Sequence, residues 1–214
     1  MEKLFIVFEG IDGSGSTTQA ELLKDYFMEK LIKAVVTSEP SNGPIGHLIK
    51  ESMKGRVYFT KDNKKFDQQM AYLFAADRHD HLYNQVDGIY RLIEKGYIVI
   101  STRYYFSSLA YHCDNDSDFE FVKNINEKFP DPDLMIYLDN TVELSLERMK
   151  HRSFCDEYEN EYKLRQVKNN YKKIISEYDG LVLQVDSSNT KEYIHSDIVR
   201  FIETNLLNKW NLQK

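Results

Sequence analysis

Cysteine, proline and long apolar runs are what this 214-residue chain has least of, and each shortage closes off a class of protein. Its two cysteines, Cys113 and Cys155, stand far apart and outside any metal-ligand spacing. That excludes a disulfide framework and reads as free thiols in a reducing, cytoplasmic setting. With four prolines and no low-complexity stretch or repeat, nothing marks an interdomain linker, so residues 1–214 read as one domain. No apolar run reaches the roughly 18 residues of a membrane span, and a strand pattern begins almost at once, which argues against a signal peptide as well. An excess of basic residues is also missing. Lys and Arg number 28 against 34 Asp and Glu, a formal net charge of −6, and this disfavours a broad nucleic-acid-binding face.

What is present is ample core material, 42% hydrophobic residues, in an alternating pattern. Five apolar runs read as buried strands: Leu4–Phe8, Ala34–Thr37, Tyr97–Ser101, Leu134–Leu138 and Gly180–Val185. Between them lie segments of helical periodicity at Thr17–Lys33, Phe66–Lys95, Thr141–Lys150, Tyr158–Tyr178 and Lys191–Leu207. In the first, Leu22, Leu23, Phe27 and Leu31 form an apolar stripe. Phe129-Pro-Asp-Pro-Asp133 reads as a turn into the fourth strand. Strands alternating with helices predict an α/β fold, a doubly wound parallel sheet with helices on both faces.

The first strand runs directly into Gly10-Ile-Asp-Gly-Ser-Gly15-Ser-Thr17. This is the pattern of a phosphate-binding loop with one exception, Ser16 in place of lysine. A glycine-rich turn between a strand and a helix presents backbone N–H groups to a phosphate, and the helix N-terminus adds partial positive charge. Gly10, Ile11, Asp12, Gly13, Ser14, Gly15, Ser16, Thr17 and Thr18 are therefore the candidate ATP-binding residues, with Thr17 and Asp12 as candidate Mg²⁺ contacts.

Three further constellations carry chemistry. Phe74 and Arg78 share one helix face; an aromatic beside a guanidinium can stack on a base and bond its edge. Taken alone, the pair reads instead as a core aromatic and a surface arginine. Arg103 follows the third strand, at the edge where open α/β sheets bind ligands, with Ser107, Ser108 and Tyr111 on the next helix. Arg148, Lys150, His151 and Arg152 concentrate positive charge in an acidic chain, as a lid over transferring phosphates would, near residues 148–157.

In this order the motifs resemble the thymidylate kinase family of nucleoside-monophosphate kinases. The resemblance rests on Phe8–Gly15 with Thr17-Thr-Gln19, on Thr37-Ser-Glu-Pro40 with Gly46, on Leu73–Arg78, on Arg103-Tyr104 with Ser107 and Ala110-Tyr111, and on Pro132–Leu134 with Leu138-Asp139. It implies a five-stranded sheet of order 2-3-1-4-5 and transfer of the ATP γ-phosphoryl to dTMP with Mg²⁺. It also implies a homodimer built from helices near residues 66–112. By the same resemblance Phe74 would stack on thymine, Arg78 bond its O4 edge and Ser108 contact the base. Tyr111 would crowd the sugar 2′ position, and Asp12 would lie near the 3′-hydroxyl and metal. Arg103 would clamp the acceptor phosphate, Glu39 and Pro40 shape that side, and Arg148 and Arg152 act from the lid.

The chain departs from the family pattern at Ser16, at Thr102 in place of an aspartate, at Ser38 in place of arginine and at Glu157 in place of a second lid arginine. Loss of one preorganised charge donor typically costs about 10²–10³ in rate. Two alternatives to a dTMP kinase therefore stand at this point: a kinase of another nucleoside monophosphate or deoxynucleoside, and a catalytically weakened nucleotide-binding homologue.

Overall fold

A computed structural model describes residues 4–150 and 161–207. Five strands form one fully parallel sheet: β1 (Phe5–Glu9), β2 (Ala34–Ser38), β3 (Ile98–Thr102), β4 (Leu134–Asp139) and β5 (Val182–Asp186), in the order β2-β3-β1-β4-β5. The strands alternate with helices α1 (Ser16–Glu29), α2 (Pro44–Met53), α3 (Asn63–Tyr83), α4 (Ile89–Glu94), α5 (Tyr105–Tyr111), α6 (Asp116–Asn126), α7 (Val142–Met149), α8 (Glu161–Glu177) and α9 (Lys191–Ile202). A π-helical turn, Glu203–Leu207, follows α9.

Strand periodicity divides the core into two layers. Successive residues of β1 point to opposite faces, so Phe5 and Val7 pack with α3, α5 and α8, whereas Ile6 and Phe8 pack with α1 and α9. All five β1 residues are buried, as a strand covered on both faces requires. The sheet's C-terminal edge gathers Glu9, Ser38, Thr102 and Asp139, and the glycine-rich loop departs from there.

Several boundaries differ from the sequence expectation. The span Phe66–Lys95 is two helices, because Asn84 leaves helical geometry at ψ 132 and its side-chain oxygen accepts from Val86 N–H at 2.8 Å. The apolar spacing of Leu82, Ile89 and Ile93 runs across that turn and conceals it. Helix α1 stops at Glu29; Leu31, expected in its apolar stripe, adopts φ 61 and is 94% exposed. Helices α2 and α6 were not anticipated, although both carry start signals. Pro44 opens α2 as its first residue, and Asn115 caps α6 by accepting from Asp118 N–H at 3.1 Å.

Candidate active site

The glycine-rich loop is compact because a side chain fits at few of its turns. Ser14 N–H donates to Ile11 C=O at 3.1 Å. A Cβ on Gly10 would lie 2.6 Å from Ser14 Oγ and 2.9 Å from Leu138 C=O, and one on Gly13 would lie 2.8 Å from Ser145 C=O. At Gly15, with φ +97, the corresponding space is open. The Ser14 hydroxyl is buried without a partner, an unsatisfied polar atom inside the expected phosphate cradle. Thr17 and Thr18 are exposed in the first turn of α1. Arg148, at the end of α7, reaches this loop: it donates to Gly13 C=O at 3.3 Å, Ser14 C=O at 3.4 Å and Ser187 C=O at 2.9 Å. Arg152 and Glu157, and with them most of the expected lid, lie outside the described residues, as does Cys155.

Beside the loop is a cavity of about 160 Å³. Its lining brings together Asp12, Glu39, Pro40, Phe74, Arg103, Ser107, Ser108 and Tyr111, residues drawn from four separate segments of the chain. Arg103 supplies the cavity's positive charge. It forms an ion pair with Asp12, donates to Ser107 Oγ at 3.0 Å and to the Tyr111 hydroxyl at 3.2 Å, and lies over the Tyr111 ring. Tyr111 in turn donates to Asp12 at 2.7 Å. Burial alone would lower the Arg103 pKa, but Asp12 foremost, with Tyr111, Tyr171 and Glu9, raises it well above the ordinary value. Arg103 stays a cation.

Arg78 departs from both sequence readings. It is a fully buried residue of α3, not a surface arginine, and it stands behind the cavity wall rather than in it. Its Nε and Nη2 donate to Glu39 Oε2 at 2.9 and 2.6 Å, Nη2 also to Ser108 Oγ at 3.1 Å, and Nη1 to the Asn126 side chain. His81 holds the other Glu39 oxygen at 3.3 Å and Thr37 Oγ1 at 2.6 Å. Phe74 does line the cavity, its ring 5.3 Å from that of His112. His112 is buried, and burial holds its pKa below the usual imidazole value against the opposing pull of Asp67, 4.0 Å away.

Tyr104, already part of the Arg103-Tyr104 motif, also lines this site; Glu9, Met53, Asn126, His81 and His112 build or support it too, and sequence reasoning assigned them no role. Glu9 stood inside the first motif and carried a signal of its own, a carboxylate ending a buried strand; the others carry none without the fold.

Magnesium fits the donor side in a limited way. Among the described residues no three His, Cys, Asp or Glu side chains cluster as a metal site. Both Asp12 oxygens already accept hydrogen bonds, from Arg103 and Tyr111. Among the described residues the exposed Thr17 hydroxyl is the direct contact offered, which suits an ion that keeps its waters and is held chiefly by substrate phosphates.

The family model for thymidylate kinase matches residues 8–198. The chain belongs to the thymidylate kinase family. It is 39% identical over 201 residues to a probable thymidylate kinase of Methanococcus aeolicus, covering 92% of this chain and 94% of that protein. It is 36% identical over 208 residues to one of Pyrococcus horikoshii, covering 97% and 99%. A probable thymidylate kinase of Pyrobaculum aerophilum is 38% identical over 199 residues, covering 93% and 96%. Family membership makes the chain a phosphotransferase, and the sheet order is that of the phosphate-loop kinases. No helix among the described residues is long and apolar enough to cross a membrane.

Proposed function

We propose that the chain transfers the γ-phosphoryl group of ATP to dTMP, giving ADP and dTDP. The observation that carries the reading is the shared cavity, in which a fixed cation, Arg103, and a base-sized wall of Phe74 and Ser108 converge beside the glycine-rich loop. Phosphoryl transfer needs positioning and charge stabilisation more than covalent chemistry from the protein. Arg103 binds the acceptor phosphate, and Asp12 and Tyr111 aim its guanidinium. The loop amides from Gly10 to Thr18 receive the donor phosphates, with the dipole of α1 behind them. Bound Mg²⁺ would sit at Thr17 among those phosphates and neutralise charge there.

Base selection follows from the direction of one hydroxyl. Ser108 Oγ accepts from Arg78 and so keeps its own proton for the cavity. A donor at that point suits the O4 carbonyl of thymine and leaves the 4-amino group of cytosine facing another donor. Arg78 thus acts through Ser108. Phe74 stacks on the ring, Glu39 and Pro40 close the acceptor side, and Tyr111 leaves a 2′-hydroxyl little room.

Cys113 is a free, buried thiol, and a reducing, cytoplasmic setting would keep it so. Tyr72 on α3 is 52% exposed and Tyr83 41%, and they mark the face through which a homodimer would form. The reaction is tested by ADP formation from ATP and Mg²⁺ across dTMP, dUMP, dCMP and dGMP. Turnover fastest with dTMP is expected, and faster turnover of any other acceptor would replace the substrate assignment.

A further inference from the structure

Glu9 ends β1, immediately before the loop, and is fully buried. A carboxylate there is costly unless its oxygens are satisfied, and three donors reach it. Tyr104 N–H donates to Oε1 at 2.8 Å, and the Ser107 and Tyr171 hydroxyls donate to Oε2 at 2.6 and 2.7 Å. Glu9 does not line the acceptor cavity, but every residue it holds on the β3–α5 side adjoins Arg103.

Arg103 adopts φ 71, a backbone conformation a bulky residue keeps only when its surroundings hold it there. Two hydrogen bonds do so: Arg103 N–H to Phe8 C=O at 2.8 Å, and the next amide, Tyr104 N–H, to Glu9. The guanidinium is held from the same source. Ser107 Oγ gives its proton to Glu9 and so turns its lone pairs to Arg103 Nη1 at 3.0 Å. Tyr171, on α8, brings a third element to the same carboxylate.

We propose that Glu9 is a positioning residue for acceptor binding: its buried carboxylate fixes both the backbone and the guanidinium of Arg103 and ties them to α8 through Tyr171. The proposal rests on the reading of Arg103 as the clamp for the dTMP phosphate. Charge on Glu9 matters to it. Ionised, Glu9 accepts three hydrogen bonds; protonated, it must donate one, to Ser107 or Tyr171, and a proton given to Ser107 competes with Arg103 for that hydroxyl's lone pairs. Burial raises the Glu9 pKa to about 7, against the lowering effect of Ser107, Arg103, Tyr171 and Tyr104, so the switch falls in an accessible range. The other titratable groups facing it are Tyr137 of β4 and, across Arg103, Asp12 and Tyr111.

The test is calorimetric binding of dTMP and of thymidine, from pH 5.5 to 8.5, to the full chain and to Glu9→Gln and Tyr171→Phe. The phosphate of dTMP titrates near 6 in its own right and contributes equally to all three proteins. The parent protein is expected to gain dTMP affinity through pH 7 beyond that contribution. Glu9→Gln should lose this gain and bind dTMP about tenfold more weakly at pH 8, with thymidine affinity unchanged. Tyr171→Phe removes one donor to the carboxylate, and its pH step should move upward. Should Glu9→Gln not fold, that shift alone decides the proposal. Unchanged dTMP affinity and pH dependence in both variants, or equal loss of thymidine, would overturn it. Binding with these dependences but without turnover of dTMP would count against the proposed reaction and leave the role of Glu9 standing.

Discussion

Among the described residues, the acceptor side of this site is held by a dense set of side-chain contacts, whereas the donor side carries few. Around the cavity, Asp12, Arg103, Ser107 and Tyr111 hold one another, Arg78 holds Ser108 and Glu39 of the wall, and Glu9 and Asn126 support them from behind. Along the loop, Ser16 brings no charge, Ser14 Oγ is buried without a partner, and Thr17 and Thr18 face outward. Among the described residues Arg148 is the cation that reaches the loop, where it donates to the Gly13 and Ser14 carbonyls. The difference shows where the chain has invested in preorganisation. Acceptor geometry is built into the described residues, and among them Arg148 is the cation at the donor loop.

The largest effect should come from removing the acceptor cation. Arg103→Ala is expected to lower kcat/KM for dTMP by about 10²–10³, measured as ADP formation, because Asp12 also loses its partner. A loss below tenfold would mean the clamp lies elsewhere. Next is stability against pH. Glu9 holds its proton up to about pH 7 in the folded chain but releases it near 4.5 when unfolded. The folded state therefore binds more protons between those values, and stability falls as pH rises through them, by about 3 kcal/mol in all. Denaturant titration should show this decline, and Glu9→Gln should flatten it. Acceptor binding is expected to move in the opposite direction over the same range, which separates positioning from simple stabilisation. Ser108→Ala has the smallest expected effect, about tenfold in kcat/KM for dTMP and a similar loss of preference over dCMP. An unchanged preference would return base readout to Arg78 itself.

Much of this division was legible in the sequence, for reasons of chain geometry. A strand feeding a glycine-rich turn and a helix is a local pattern, and Arg103 directly after an apolar run had to emerge at the ligand edge of the sheet. The sheet order followed from the family resemblance. What the sequence concealed depends on long-range packing. Arg78 looked like a surface residue because helical spacing cannot show that Glu39 and Asn126, each about 40 or more residues away, converge to satisfy it in the core. Tyr171 meets Glu9 across 162 residues of sequence, and no local pattern anticipates that contact. The break at Asn84 was missed for the converse reason, since the turn leaves the apolar spacing intact.

The contrast between the two sides is tested most directly by Ser16→Lys, assayed for ADP formation with dTMP and, in parallel, for dTMP binding by calorimetry. A loop cation should raise kcat at least tenfold and leave dTMP affinity within about twofold, because the acceptor side is already complete. An unchanged or lower kcat would contradict the account, as it would show a donor site adapted to work without that charge.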